Sequence, residues 1–297
     1  MTKIVEIKLN LFTSIAKRIA LLAILIAVLH PTNCLAGFPE EQPGSRAAGL
    51  AYSATSLTDS WSLFYNQAGL GHQENIWVGA HHENRFFTPE LNFSAIGALL
   101  PVKSGALGLS IKRMGFSEFN QTKIGLAYGM KLAPTLSAGV QLNTHYVYIA
   151  GEYGSAAAFT AEGGLIYSPT EDLSVGFHFI NPTRTKLYEE ERIPTLINLG
   201  ISYQLGDMVL VTSGVEKNLD ANFTYKAGVE FKPIDNLYLR TGMATDPSLF
   251  SFGLGYKIRS IQMDLAFTHH EILGYTPHFS ISYRFGEKSN GQIPEED

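Results

Sequence analysis

Phe223-Thr-Tyr-Lys-Ala-Gly-Val-Glu-Phe-Lys232 carries Phe, Tyr, Ala, Val and Phe at its odd positions and Thr, Lys, Gly, Glu and Lys at its even ones. Successive side chains of a strand point to opposite faces, so this segment has one apolar face and one small or polar face. The same two-beat pattern recurs about fourteen times between Ile76 and Phe285. It predicts strands that begin near Asn75, Thr88, Ser104, Phe119, Thr135, Ala156, Glu171, Thr195, Asp207, Asn222, Asn236, Leu249, Ser260 and Pro277. Most are about 10 residues long, the length a tilted strand needs to cross a bilayer. The fold class expected is all-β, a transmembrane antiparallel β-barrel of about 14 strands over residues 73–285.

The connections predict the same thing independently. Residues 101–105, 133–134, 168–172, 206–207, 232–235 and 259–260 are tight and rich in Pro, Gly, Asp and Ser, the residues that set turn geometry. Alternating with them are longer stretches at 82–87, 115–118, 151–155, 181–194 and 271–276. Short turns at one end and longer loops at the other are the habit of outer-membrane barrels, and an even strand number leaves both termini at the short-turn end. Aromatics on the apolar register also sort to the strand ends. Tyr167, Tyr203, Phe231, Tyr256 and Phe285 lie by the tight turns; Tyr146, Tyr148, Phe223, Phe250, Phe267 and Phe279 lie by the loops. Two belts fit two membrane interfaces, whereas a soluble barrel turns its apolar face inward and has no use for them.

The opposite register is then the lumen. It collects Gly108, Gly125, Gly129, Gly139, Gly176, Gly200, Gly214, Gly228 and Gly242, together with Lys112, Lys123, Asn143, Glu162, Gln204, Glu216, Lys226, Glu230, Gln262, Asp264 and Arg284. A Lys or Arg at mid-depth on the lipid side costs about 2–4 kcal/mol, so these charges belong inside. Two explanations of the glycines remain open. They permit strand curvature, or they make room for residues 37–72, which do not alternate, to fold back as a hatch.

Lys3, Lys8, Lys17 and Arg18 precede the apolar run Ile19 to Leu29, and Cys34-Leu-Ala36 precedes Gly37. That order reads as a secretory signal peptide over 1–36. The alternative of a lipoprotein modified at Cys34 is weakened by Pro31-Thr-Asn33, which lacks the small aliphatic context for it. Without 1–36 the single cysteine is gone, and 18 basic residues face 26 acidic ones, a net −8. A negative balance argues against a nucleic-acid partner. Charged residues are 16% of the chain, against a quarter in typical soluble domains. Gly286 to Asp297 reads as a disordered polar tail,.

Gly44-Ser-Arg-Ala-Ala-Gly-Leu50 and Thr58-Asp-Ser-Trp-Ser-Leu-Phe-Tyr-Asn-Gln-Ala-Gly-Leu70 resemble the opening of the FadL superfamily, and its PorV/PorQ-like branch in Bacteroidetes-type bacteria most of all. Phe250-Ser-Phe-Gly-Leu-Gly-Tyr256 and the run from Leu273 to Phe285 have the same character. The resemblance implies a fourteen-stranded outer-membrane barrel of a Gram-negative bacterium, with a hatch whose motif here is Asn66, Gln67, Ala68, Gly69 and Leu70. Gln67 stands where the family usually has Pro, a departure that bears on the hatch turn. The loops are also shorter than those that build the substrate groove of FadL-type transporters. The final aromatic, Phe285, is similar to the signal read by the barrel assembly machinery.

Catalytic, cofactor and metal sites are not expected. His81-His82 and His269-His270 are neighbours on strands, so the members of each pair face opposite ways and cannot chelate together. No flanking motif supports a Ser–His hydrolase, and no Gly-rich loop precedes a helix. Glu189-Glu-Glu191 with Arg184, Lys186 and Arg192 reads as a solvated surface or a docking patch. The resemblance implies two functions. The first is a non-enzymatic, PorV-like accessory of protein export or surface attachment, with a secretion complex or client proteins as partners alongside outer-membrane lipid. The alternative is a FadL-like conduit for small hydrophobic molecules.

Overall fold

The computed structural model describes residues 42–151, 154–187 and 192–286. The expected signal peptide, Cys34, the acidic run at 189–191 and the tail from 287 lie outside the described residues.

Fourteen strands follow one another: β1 (Trp77–Asn84), β2 (Asn92–Val102), β3 (Gly105–Gly115), β4 (Phe119–Ala133), β5 (Leu136–Ile149), β6 (Gly154–Tyr167) and β7 (Leu173–Ile180). The second half holds β8 (Leu196–Leu205), β9 (Val209–Asn218), β10 (Phe223–Ile234), β11 (Leu237–Thr245), β12 (Ser248–Ile258), β13 (Ile261–His270) and β14 (Gly274–Arg284). Each pairs antiparallel with its sequence neighbours, and β1 pairs with β14, so the sheet closes. Closure is what lets a sheet sit in lipid, because it leaves no unpaired edge.

The faces divide as the two-beat pattern predicts. In β3 the burial alternates from Ala106 (buried) and Leu107 (exposed) through to Met114. All eleven aromatics of the two belts point outward, 38% to 51% exposed. Two boundaries differ from the sequence expectation. Residues 85–91 form two 3-10 turns, Arg85–Phe87 and Pro89–Leu91, so β2 starts at Asn92 rather than Thr88. β14 starts at Gly274, ahead of Pro277. That proline lies one residue beyond the last β1–β14 pair, Glu83↔His278, so its missing N–H breaks no rung on that side,. The asymmetry of the connections is also narrower than expected. It rests mainly on 85–91 and 181–195, while 246–247 at the same end is as tight as any opposite turn.

Candidate functional site: a filled lumen and a notched wall

Residues 42–72 lie within the barrel. They form a short helix, α1 (Ser45–Gly49), and two 3-10 turns, Ser60–Phe64 and Gln67–His72. Asp59 caps the first turn by accepting from the Trp61 N–H (2.8 Å). Asn66 caps the second by accepting from the Ala68 N–H (3.2 Å). From 42 to 70 every residue is buried except Arg46, Tyr52, Thr58 and Asp59, which are half-buried. The apolar members Leu50, Trp61, Leu63, Phe64 and Leu70 join Trp77, Phe93 and Leu99 of the wall in one hydrophobic cluster.

The lumenal glycines decide between the two explanations left open above. Seven of the nine face this segment at close range; only Gly125 and Gly214 meet wall atoms alone. A Cβ on Gly139 would stand 2.2 Å from the Gln67 carbonyl carbon, and one on Gly164 would stand 2.0 Å from Asn66 Oδ1. Real Cβ atoms do not approach so closely, so the wall lacks side chains where the segment seats.

Polar bonds hold the seat. The Asn66 amide donates to the Thr55 (2.7 Å), Leu165 and Phe177 (both 3.3 Å) carbonyls, which ties the turn to β6 and β7. Gln67 Nε2 donates to Glu162 Oε2 (3.2 Å), and its Oε1 lies 3.0 Å from His178 Nε2. Glu162 also accepts from Asn143 Nδ2 (2.8 Å) and pairs with Lys123. A second network starts at Asp59, which accepts from the Tyr65 hydroxyl (2.5 Å) and pairs with Arg46 (2.7 Å). Burial, with the Asp59 charge beside it, holds the Tyr65 phenol well above its usual range, so it remains a donor,. Arg46 then grips Glu230 with two nitrogens (2.7 and 2.9 Å), Glu230 accepts from Arg240 Nε (2.6 Å), and Arg240 Nη1 reaches Asp264 (2.6 Å). Buried charges persist because each is paired and hydrogen-bonded.

Gln67 therefore does more than a turn proline could. Its position, first in a turn after an extended Asn66, suits proline sterically. Replacement by proline should keep the backbone path and leave Glu162 and His178 short of a partner. Gln67→Pro is expected to lower stability by about 1–3 kcal/mol in urea titrations of the detergent-solubilised barrel, with the strand content in circular dichroism unchanged.

The ladder between β6 and β7 is incomplete. β6 is 14 residues long, yet β7 pairs only with Glu162 to Tyr167. Among the described residues, 154–161 have no ladder partner on that edge beyond one bond, from Asn181 N–H to the Ala161 carbonyl (2.9 Å). Asn181 then turns with φ 51° and is buried, as are Ile193 and Thr195 where the chain returns. The belt residues give the depth of this notch. Tyr146 and Tyr148 of β5 sit level with Ala157 and Ser155 of β6, and Tyr167 marks the other interface. The unpaired stretch from Ala157 to Ala161 thus falls inside the apolar band, which takes about 9–11 residues of tilted strand to cross. At the short-turn end, a polar pocket of about 480 Å³ lies beneath the second network, lined by Gln204, Asp207, Lys232, Asp235 and Tyr238 with Glu230.

The hatch-motif residues Asn66 to Leu70 are all buried against β4, β5 and β6. Of the paired histidines, His81 faces the lumen and His82 faces out, bonded to Ser94 (2.9 Å). Sequence reasoning passed over Arg240, His178 and His278, all inward and fully buried. Register alone could have placed them, since each lies two residues from another inward position.

No family model matches the chain, and no curated protein matches it by sequence. Solved structures do match by shape. The CymD monoaromatic hydrocarbon channel superposes with a TM-score of 0.67 at 14% identity, over 84% of this chain and 99% of that one. The Ralstonia pickettii toluene transporter TbuX gives 0.65 at 11% identity, over 84% and 100%. A Pseudomonas aeruginosa FadL homologue gives 0.56 at 15% identity, over 84% and 100%. The fold is the one these channels share. Identities this low carry the architecture of the closed barrel and no residue-by-residue role.

Proposed function

We propose that this chain is a non-enzymatic outer-membrane conduit for small hydrophobic molecules, delivered by its signal peptide and assembled by the barrel machinery. The observation that carries this reading is the notch between β6 and β7 at membrane depth. A hydrophobic solute dissolved in the outer leaflet can reach the lumen there without crossing water. Ser155, Ala156, Ala157 and Ala158 edge the notch with small side chains. The stretch Asn66–Leu70 anchors the hatch, and the polar pocket on its far side is the release vestibule. The likeness to hydrocarbon channels supports this order of preference. Loop length alone had favoured the PorV-like accessory of export or surface attachment, a reading that now draws on the filled, polar lumen.

Deleting the gene and following toluene uptake beside the secreted and surface proteomes separates the two. The conduit reading expects uptake to fall with the proteomes unchanged. Ala158→Phe, which sets a ring on the inner edge of the notch, is expected to bring uptake down to the deletion level while the barrel still folds. Unchanged uptake together with periplasmic retention of a set of secreted proteins would return the export reading.

A further inference from the structure

Two histidines and a carboxylate converge at the seam where the first strand meets the last, half the barrel away from the notch. His81 and Glu83 alternate on the inward face of β1, and the register sets His278 of β14 directly opposite Glu83. His81 Nε2 lies 3.2 Å from Glu83 Oε2, and His278 Nδ1 lies 2.9 Å from the same oxygen. The three atoms fall within 4.8 Å of one another. Ligands about 2.0–2.2 Å from a tetrahedral zinc ion are ~3.3 Å apart, so the spacing suits one ion. The three residues are 3%, 3% and 2% exposed.

The remaining atoms of these side chains are already spoken for. Ser280 Oγ lies 2.9 Å from His81 Nδ1, and Thr268 Oγ1 lies 3.0 Å from His278 Nε2. Arg85 Nε donates to the other Glu83 oxygen, Oε1 (2.5 Å). Such outer partners aim a ring nitrogen or carboxylate at a metal. Trp61 and Phe93 set ring edges against His81, and Tyr52 does so against His278, so the surroundings are dry. His278 Nδ1 has no hydrogen-bond partner among the described residues. It is near Glu83 Oε2 but off the line that an N–H would need. A buried ring nitrogen left in this way costs stability.

We propose that His81, Glu83 and His278 form a binding site for one divalent transition ion, zinc foremost, with water in the fourth position. Two imidazoles and a carboxylate are the donor set of borderline divalent ions. With the ion on Nε2, His81 Nδ1–H donates to Ser280 Oγ. Ser280 also accepts from the Ser45 N–H (2.7 Å) and turns its own proton to Ser45 Oγ (2.8 Å). The ion thereby fastens β1 to β14 and, through two serines, to α1.

The test uses the mature barrel, refolded without a polyhistidine tag, stripped by chelator and titrated with zinc chloride by calorimetry. Metal content is read after desalting, and unfolding temperature with and without zinc. One zinc per chain and a raised unfolding temperature are expected. Glu83→Gln, an isosteric change, and His278→Ala should each weaken binding by about a hundredfold or more, and Thr268→Val by roughly ten- to a hundredfold. The outward variant His82→Ala/His269→Ala should bind like wild type. Absence of saturable binding, equal binding by Glu83→Gln, or loss only in the outward variant would overturn the site. If His278→Ala does not refold, Glu83→Gln decides.

Discussion

Removing residues 42–72 is expected to turn a closed barrel into a steadily conducting one. The wall hydrogen bonds run strand to strand around the full circle and none depends on this segment. The barrel should therefore survive its loss. Behind it would stand a lumen in which seven of the nine lumenal glycines have lost the residues that covered them. Fourteen strands enclose more room than the eight whose own side chains fill the centre, so the space does not collapse. In planar bilayers the conductance should rise on the order of tenfold or more. A graded version is Gly139→Val, whose Cβ would lie 2.2 Å from the Gln67 carbonyl carbon. It should unseat the second 3-10 turn and give intermediate, flickering conductance. Unchanged conductance in the deletion, with the barrel still resistant to dodecyl sulfate before heating, would mean that the segment does not seal the lumen.

The second large effect is expected at Arg240. Its side chain is 1% exposed and joins Glu230 to Asp264, which has Gln262 as its other neighbour (3.0 Å). Arg240→Met keeps length and apolar bulk but leaves buried Asp264 with Gln262 and no cation, and Glu230 with Arg46 alone. Breaking a buried pair in this way costs about 3–5 kcal/mol, far more than the intact pair contributes. The urea midpoint should fall accordingly. Adding Glu230→Gln and Asp264→Asn should recover much of the loss, because the cost lies in the orphaned charge. Arg240→Lys should be intermediate, since one ammonium cannot reach both acids with the geometry of a guanidinium. A midpoint that does not move in Arg240→Met would show that water reaches these carboxylates.

The wall was legible because its signal is local. A period of two, a turn residue and a rim aromatic can each be read within ten residues, and a one-residue slip would have put every leucine of β3 inside. Strand starts erred most where proline misled. Thr88-Pro89 looked like the beginning of β2 and is a pair of turns; Pro277 looked like the beginning of β14 and lies within it. The hatch was legible as a stretch that fails to alternate, but its fit was not. That Gln67 meets Gly139, or that Arg46 meets Glu230 across 184 residues, is a fact of closure and not of pattern. The seam cluster was missed for the same reason. His81 was judged against its neighbour His82, whereas its partners are Glu83 two residues on and His278 on the far end of the chain. The notch left no mark at all, because it arises from the unequal heights of two adjacent strands.

The order in which the hatch binds the wall also bears on how the barrel is built. Its leading residues, Ser45 and Arg46, are made before the barrel but bond to Ser280 of the last strand and to Glu230 of β10. Its trailing residues, Asn66 and Gln67, bond to strands of the middle of the chain. Contacts of such long separation form late, after the loop they close has been constrained. During assembly the segment can first settle on β4 to β6, while Arg46 stays in water until β10 and β14 arrive. Its docking then reports that the last strands are in place, so a barrel that stalls short of them exposes its own defect as an unseated N-terminus.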